Sequence, residues 1–429
     1  MAIKIRKETG VFLTFLLLLA FLAALRLFFV HPLVRNVYAG KGPSILNSMI
    51  CGQHVHPVDH YLNVADRYYY FLAFVMSGIL VCFIFSSVRR YVLTLLRYAM
   101  WLSIPLLVVL LIASEIFFAL CFRHPEIARF IPRNEIRKWV YCSRIHRVIP
   151  ESLPRLVYDS EVTYTMPPSA TFKKVAPEYE VVVRTNSEGL RDDEESLNAP
   201  EVIVLGDSEA MGQGVEQDQT YAAILERESG FKVLNAAVGS FGTVREMILL
   251  NRLETTRLKY LIIDYHPNDY DENRYFYEHG RLDITPREKV EALWDKEVRA
   301  ARYYSGKYTV YAVIGLLESI KARSIVQKKE NEAKYFLHAV SEASKKNLRG
   351  VKIVSIVPGP LSEQIRQELS LGEYPDPVSN MMLVSENEIR EKCFGDCYYP
   401  FDGHRKAKAY RLFADRILDL IARSQDSEP

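Results

Sequence analysis

Three short polar motifs in the C-terminal part of the chain carry residue types able to perform acyl transfer: Gly206-Asp207-Ser208, His266-Pro267-Asn268-Asp269 and Asp402-Gly403-His404. A serine hydroxyl is a weak nucleophile until a neighbouring base takes its proton, and an imidazole base needs a third group to orient it. Ser208 supplies the hydroxyl, while His404 and Asp402 supply the base and the orienting carboxylate from one loop. The developing oxyanion also requires hydrogen-bond donors. The side-chain amide of Asn268 is one candidate, and backbone N–H groups in the small-residue run around Gly239 and Ser240 are others. Taken singly each motif is weak, since Gly-Asp-Ser is commonly only a turn and Asp-x-His a helix start. Their joint placement carries the signal.

That placement depends on the elements around them. Residues 201–205 form a β-branched run ending at Gly206, the pattern of a buried parallel strand. Residues 232–235 and 260–264 read as further strands, and helical segments are expected at 221–228 and 244–253. Ala333, Phe336, Leu337, Val340 and Ala343 make a helix stripe before a strand at 351–357. Ala407, Tyr410, Phe413, Ala414, Ile417 and Ile421 mark a C-terminal amphipathic helix. Strands alternating with helices predict an α/β fold with a parallel sheet covered on both faces, and chemistry in such sheets gathers beyond the strands' carboxyl ends. Ser208, the Gly239–Ser240 region and Asn268 all fall there.

With these residues in place the chain resembles the SGNH/GDSL hydrolase family over roughly residues 153–422, in particular its envelope-associated, membrane-anchored branch with polysaccharide O-acetyltransferase and esterase members. The segment 202–208 with Gly212, Gly214, Val215 and Tyr221 resembles the first block of that family, 235–243 the second, 266–269 the third and 402–404 the last. Residues 185–191 resemble the strand-and-turn lead-in of the envelope branch. The resemblance implies Ser208 as nucleophile, His404 as general base and Asp402 as its orienting carboxylate. It also implies an oxyanion hole from the Ser208 N–H, a second-block N–H and Asn268, on a three-layer α/β/α domain. Three positions depart from the family pattern. The second-block glycine aligns either at Gly239 or at Ser240. Only Gly403 separates Asp402 from His404, where many members have two residues. Glu209 puts a carboxylate directly after the nucleophile, where it would disfavour an anionic intermediate unless it is paired or points away.

The 429-residue chain is 49% hydrophobic, but its apolar residues concentrate before about residue 122. Runs at 11–30, 69–87 and 98–122 are each about long enough to cross a bilayer. Expected, therefore, are a three-helix membrane anchor at 1–122 with an external loop at 31–68, and a connector at 123–152. The α/β domain follows at 153–424 with a helical insertion at about 275–329, then a short tail at 425–429. Val37-Tyr38-Ala39 resembles a signal cleavage site, but the apolar core before it is longer than a signal peptide needs. Lys4, Arg6 and Lys7 before the first run, and Arg89, Arg90 and Arg97 between the second and third, place those segments in the cytoplasm by the positive-inside bias. Three crossings then deliver the C-terminal domain to the extracytoplasmic, periplasmic side of the inner (cytoplasmic) membrane. Glu115, inside the third run, reads as a snorkelling carboxylate.

A net charge of only +2 favours no nucleic-acid partner. Cys51, His54, His56, Asp59 and His60 share one loop, but their spacing matches no zinc pattern, so neither a metal nor a cofactor is expected. Cys393 and Cys397 are near enough in sequence to bridge if the compartment is oxidising. Together these features point to a membrane-anchored serine esterase or O-acyltransferase acting on an acylated cell-envelope glycan or a lipid-linked substrate. Related arrangements pair such domains with a multi-spanning membrane-bound O-acyltransferase as partner. The competing reading is a non-catalytic scaffold or binding subunit that keeps the fold without the reaction, for which Glu209 and the insertion leave room.

Overall fold

The computed structural model describes residues 70, 74, 86–123, 156–176, 178–292, 295, 303–321, 329–393, 396–399 and 402–426. The chain divides into two compact units, the first ending at Phe117 and the second running from Phe118 to the C-terminus, with residues 45–51 grouped with the second. The expected first span, most of the second, the external loop with its histidines and most of the connector lie outside the described residues.

Helix α1 covers Ser86–Arg123, beginning in the first unit and ending past its boundary, and its stretch Trp101–Leu120 is long and apolar enough to cross a membrane. The expected cytoplasmic loop around Arg89, Arg90 and Arg97 is instead the first part of this helix. No glycine or proline interrupts residues 86–104, and arginine is a good helix former, so nothing local stops the helix. Among the described residues this is the one helix that meets the span criterion.

The second unit is a mixed α/β domain. It opens with two antiparallel hairpins, β1 (Val157–Asp159) with β2 (Thr163–Thr165), and β3 (Thr171–Ala176) with β4 (Tyr179–Arg184). Neither hairpin was expected from the apolar periodicity. Residues 185–191, expected as strand and turn, are turn only, because the strand ends at Arg184.

The central sheet has five parallel strands in the order β6-β5-β7-β8-β9: β5 (Val202–Gly206), β6 (Val233–Asn235), β7 (Tyr260–Asp264), β8 (Lys352–Val357) and β9 (Met382–Ser385). The first four match the expected strands within a residue or so, whereas β9 was not anticipated. Between them run α2 (Ser208–Met211), α3 (Tyr221–Ser229), α4 (Thr243–Leu250), α5 (Asp269–His279), α6 (Lys307–Lys321), α7 (Glu332–Glu342), α8 (Gly359–Leu371) and α9 (Glu386–Lys392), with α10 (Ala407–Asp426) closing the chain. α5 ends inside the expected insertion and α6 lies within it, and α10 runs two residues past the expected domain end.

Alternation along the buried strands splits the core in two. Ile203, Leu205, Leu261 and Ile263 pack with Met247 of α4, Phe336 of α7 and Ile365 of α8. Val202, Val204, Tyr260 and Ile262 pack on the other face with Ile224 of α3 and with Phe413 and Ile417 of α10. Helices thus cover both faces. The chain starts in the middle of the sheet, at β5, moves outward to β6, and then crosses to β7 on the other side. The direction of winding therefore reverses between β5 and β7, the position at which open parallel sheets place their sites beyond the carboxyl ends of the strands.

Candidate active site

Ser208 sits at that reversal. β5 ends at Gly206, whose φ of +154° and tight surroundings exclude a side chain, since an added Cβ would lie 2.5 Å from the Ala210 Cβ. The Asp207 carboxylate caps the short helix α2 by accepting from the Glu209 N–H at 2.8 Å. Arg191, buried, holds the opposite, C-terminal end of α2. Its guanidinium donates to the carbonyls of Gly212 at 2.5 Å and Val215 at 2.7 Å. The lead-in segment therefore braces the chain where it leaves α2, a role its sequence did not disclose.

The loop before α10 brings His404 onto this turn. His404 Nε2 lies 2.8 Å from Ser208 Oγ, and His404 Nδ1 is hydrogen-bonded to Asp402 Oδ1. In the neutral imidazole with its proton on Nδ1, Nδ1–H donates to Asp402 and the serine hydroxyl donates to Nε2. Burial alone would lower the imidazole's pKa. The charge and hydrogen bond of Asp402, with Glu209 adding to them, outweigh burial and raise it to about 9. Hydroxyl, imidazole and carboxylate thus form one hydrogen-bonded chain from two loops 196 residues apart.

The candidate oxyanion donors come from the neighbouring strand ends. A Cβ built on Gly239 would stand 3.9 Å from the Ser208 Cβ, so the loop after β6 passes directly beside the nucleophile. Tyr164 Oη donates to the Gly239 carbonyl at 2.9 Å and fixes the peptide that carries the Ser240 N–H. Ser240 itself is exposed, with a left-handed φ of +64°. Asn268 is buried at the start of α5, four residues beyond the strand-end pair Gly206–Asp264. Its Oδ1 accepts from His266 Nδ1 at 2.5 Å, which orients the amide and leaves Nδ2 as the donor. Asp207 Oδ2 lies 3.8 Å from the same His266 nitrogen. Asp269, fully buried, accepts from Thr243 Oγ1 at 2.9 Å and ties the start of α5 to the start of α4.

Glu209, the residue that seemed out of place, is paired. Burial pushes its pKa up, opposed first by Arg405, whose Nε stands 3.4 Å from Glu209 Oε2 and whose backbone N–H donates to the same oxygen at 3.2 Å. The guanidinium of Arg405 also bonds Asp264 at the end of β7 through two nitrogens, at 2.5 and 3.1 Å, and covers the Phe413 ring at 4.1 Å. Arg405 follows His404 directly, so the base-bearing loop is bolted to the ends of both strands that meet at the reversal point. An arginine between two acidic strand-end residues is a signal the sequence held, but it becomes meaningful only once those residues meet.

No family model matches this chain, and no curated protein matches it. One solved structure that is similar is described as "The active site of a carbohydrate esterase displays divergent catalytic and non-catalytic binding functions". It shares 11% identity, covering 62% of this chain and 85% of that one, with a TM-score of 0.28, and at that level the likeness carries no argument.

Among the described residues no group of three or more His, Cys, Asp or Glu side chains is arranged to hold a metal. Cys393 and Cys397 are joined by a disulfide with Cα atoms 5.5 Å apart, buried between α9 and the loop that leads to Asp402. What the site can do is transfer an acyl group. A hydroxyl faces a base, the base is held by a carboxylate, and candidate donors lie on the loops after β6 and β7, the two strands that flank β5.

Proposed function

We propose that this chain is an SGNH-type serine esterase or O-acyltransferase, anchored in the inner membrane with its α/β domain on the periplasmic side. Its substrate would be an acylated envelope glycan or a lipid-linked acyl ester. The single observation that carries the reading is the Ser208–His404–Asp402 hydrogen-bonded chain at the reversal point of the sheet. Ser208 Oγ attacks the ester carbonyl as its proton passes to His404 Nε2, and the imidazolium is stabilised by Asp402. The tetrahedral oxyanion is held by the Ser208 N–H, a backbone N–H of the Gly239–Ser240 segment and Asn268 Nδ2. Collapse expels the alcohol with the proton from His404. The acyl-enzyme then yields its acyl group to water or to a sugar hydroxyl, and the acceptor distinguishes esterase from transferase.

The apolar stretch in α1 supports the membrane anchor. The Cys393–Cys397 bridge supports an oxidising, extracytoplasmic compartment, since such bridges are rare in the cytosol. The pairing of Glu209 with Arg405 removes the main feature that favoured a non-catalytic scaffold. A multi-spanning acyl donor would be the natural partner of the transferase version.

Labelling of the full chain with a serine-directed fluorophosphonate tests the reading. Wild type should label and Ser208→Ala should not; equal labelling of the two, or none at all, overturns it. Partition of a labelled donor acyl group between water and an oligosaccharide acceptor separates the two reaction types.

A further inference from the structure

The β3–β4 hairpin, far upstream of every motif that suggests chemistry, reaches the orienting carboxylate. Tyr179 Oη donates to Asp402 Oδ2 at 2.5 Å, on the oxygen that His404 does not use. The neighbouring Glu178 carboxylate accepts the Asp402 backbone N–H at 2.7 Å. Two consecutive residues at the start of β4 thus grip both the main chain and the side chain of Asp402. A third contact comes from Gln213, just past α2. Lys174 Nζ, on β3, donates to Gln213 Oε1 at 2.5 Å, which dictates which end of the amide faces inward. The inward Nε2 stands 3.4 Å from both Asp402 oxygens and 3.3 Å from His404 Nδ1. Because His404 Nδ1 already carries a proton for Asp402, the amide N–H is directed to the carboxylate.

We infer that Tyr179 and Gln213, the latter aimed by Lys174, are positioning residues for the proposed acyl transfer. They hold Asp402 in the one rotamer that presents Oδ1 to His404 and share its negative charge. This inference rests on the proposed function and adds a part to it. A carboxylate with one oxygen unanchored rotates about χ2 and loses the imidazole, whereas a donor on the second oxygen prevents this. The same donors draw charge from Asp402 and so restrain how strongly it favours the imidazolium. The hairpin therefore acts through Asp402, as part of the positioning apparatus.

The test is the rate of fluorophosphonate labelling of the full chain in detergent as a function of pH, for wild type, Tyr179→Phe and Gln213→Leu, with Ser208→Ala as blank. Each variant should label roughly tenfold or more slowly near neutral pH. The rise of its rate with pH should also move upward by about half a unit or more, because an unshared Asp402 charge stabilises the imidazolium further. Wild-type rates and midpoints in both variants overturn the inference. So does slower labelling with an unmoved midpoint, which would mark Tyr179 and Gln213 as mere packing. Since Gln213 lies on a separate segment from the hairpin, it decides the matter if Tyr179→Phe folds poorly. Wild type silent at every pH would instead sink the acyl-transfer reading itself, leaving nothing to position.

Discussion

At the scale of single residues the site is dominated by one charge balance. His404 must be neutral to accept the serine proton, yet its environment raises its pKa to about 9. Labelling or turnover should therefore increase with pH along an acid limb centred well above the ordinary histidine value of about 6.5. Asp402→Asn should move that limb down and lower the rate by roughly 10³- to 10⁴-fold, since the amide removes the charge and favours the wrong imidazole tautomer. A pH–rate profile of the two proteins reads both effects. The same shift has a stability consequence. A raised native pKa means that the stabilisation is complete below about 6.5 and is lost as pH rises through about 9. Melting temperatures of wild type should fall across that window relative to His404→Gln. Asn268 gives an independent residue-level test. If its Nδ2 meets the oxyanion, Asn268→Ala should lower kcat by about 10²- to 10³-fold with little change in KM. A loss confined to KM would place Asn268 in substrate binding instead.

At the scale of elements the deciding feature is how the loop before α10 is fastened. Arg405 joins Glu209 and Asp264, and all three are nearly inaccessible to water. Removing one partner of such a set leaves buried charge unpaired, so Arg405→Met should cost about 3–5 kcal/mol in stability, measured by denaturant unfolding. Arg405→Lys keeps the charge but not the fork and should fall between. A Glu209→Gln substitution in the Arg405→Met background should recover part of the loss, because one of the stranded charges is gone. The disulfide fastens the other end of the same loop. Under denaturing conditions without reductant, neither Cys393 nor Cys397 should react with an alkylating agent, and both should react after reduction. Free thiols in protein isolated without reductant would count against the oxidising compartment.

At the scale of the whole molecule, much of the architecture was legible in advance. The strands at β5, β6, β7 and β8 each show as a short β-branched or apolar run, and α10 shows as a stripe at helical spacing. Burial on both faces of a parallel sheet is what produces those runs. Among the elements that escaped were β9, the two small hairpins and the helices α8 and α9. β1 spans three residues and β3 is exposed or half-buried along its length, whereas β4 does alternate between buried and more exposed positions but its three consecutive valines hide the pattern in the sequence. The start of α1 differs from expectation for another reason: its arginines suggest a cytoplasmic loop, but charge density does not break a helix and no glycine or proline stands in its way.

By themselves the residues of this chain determined four strands of the central sheet, where each of those ends, and therefore which polar groups stand beyond them. Ser208, Asn268 and the Asp402–His404 pair were identifiable because strand and helix signals are local. Which of these groups touch was decided only by the tertiary structure. The contact of Ser208 with His404 spans 196 positions, and that of Tyr179 with Asp402 spans 223. No local pattern encodes a pairing over such distances. It follows from the order of strands in the sheet, which brings β5 beside β7, and from the burial of Arg405 between them, which sets the angle at which the last loop returns. The same folding turned Glu209 from an apparent liability into one half of an ion pair, because its partner lies at the far end of the chain.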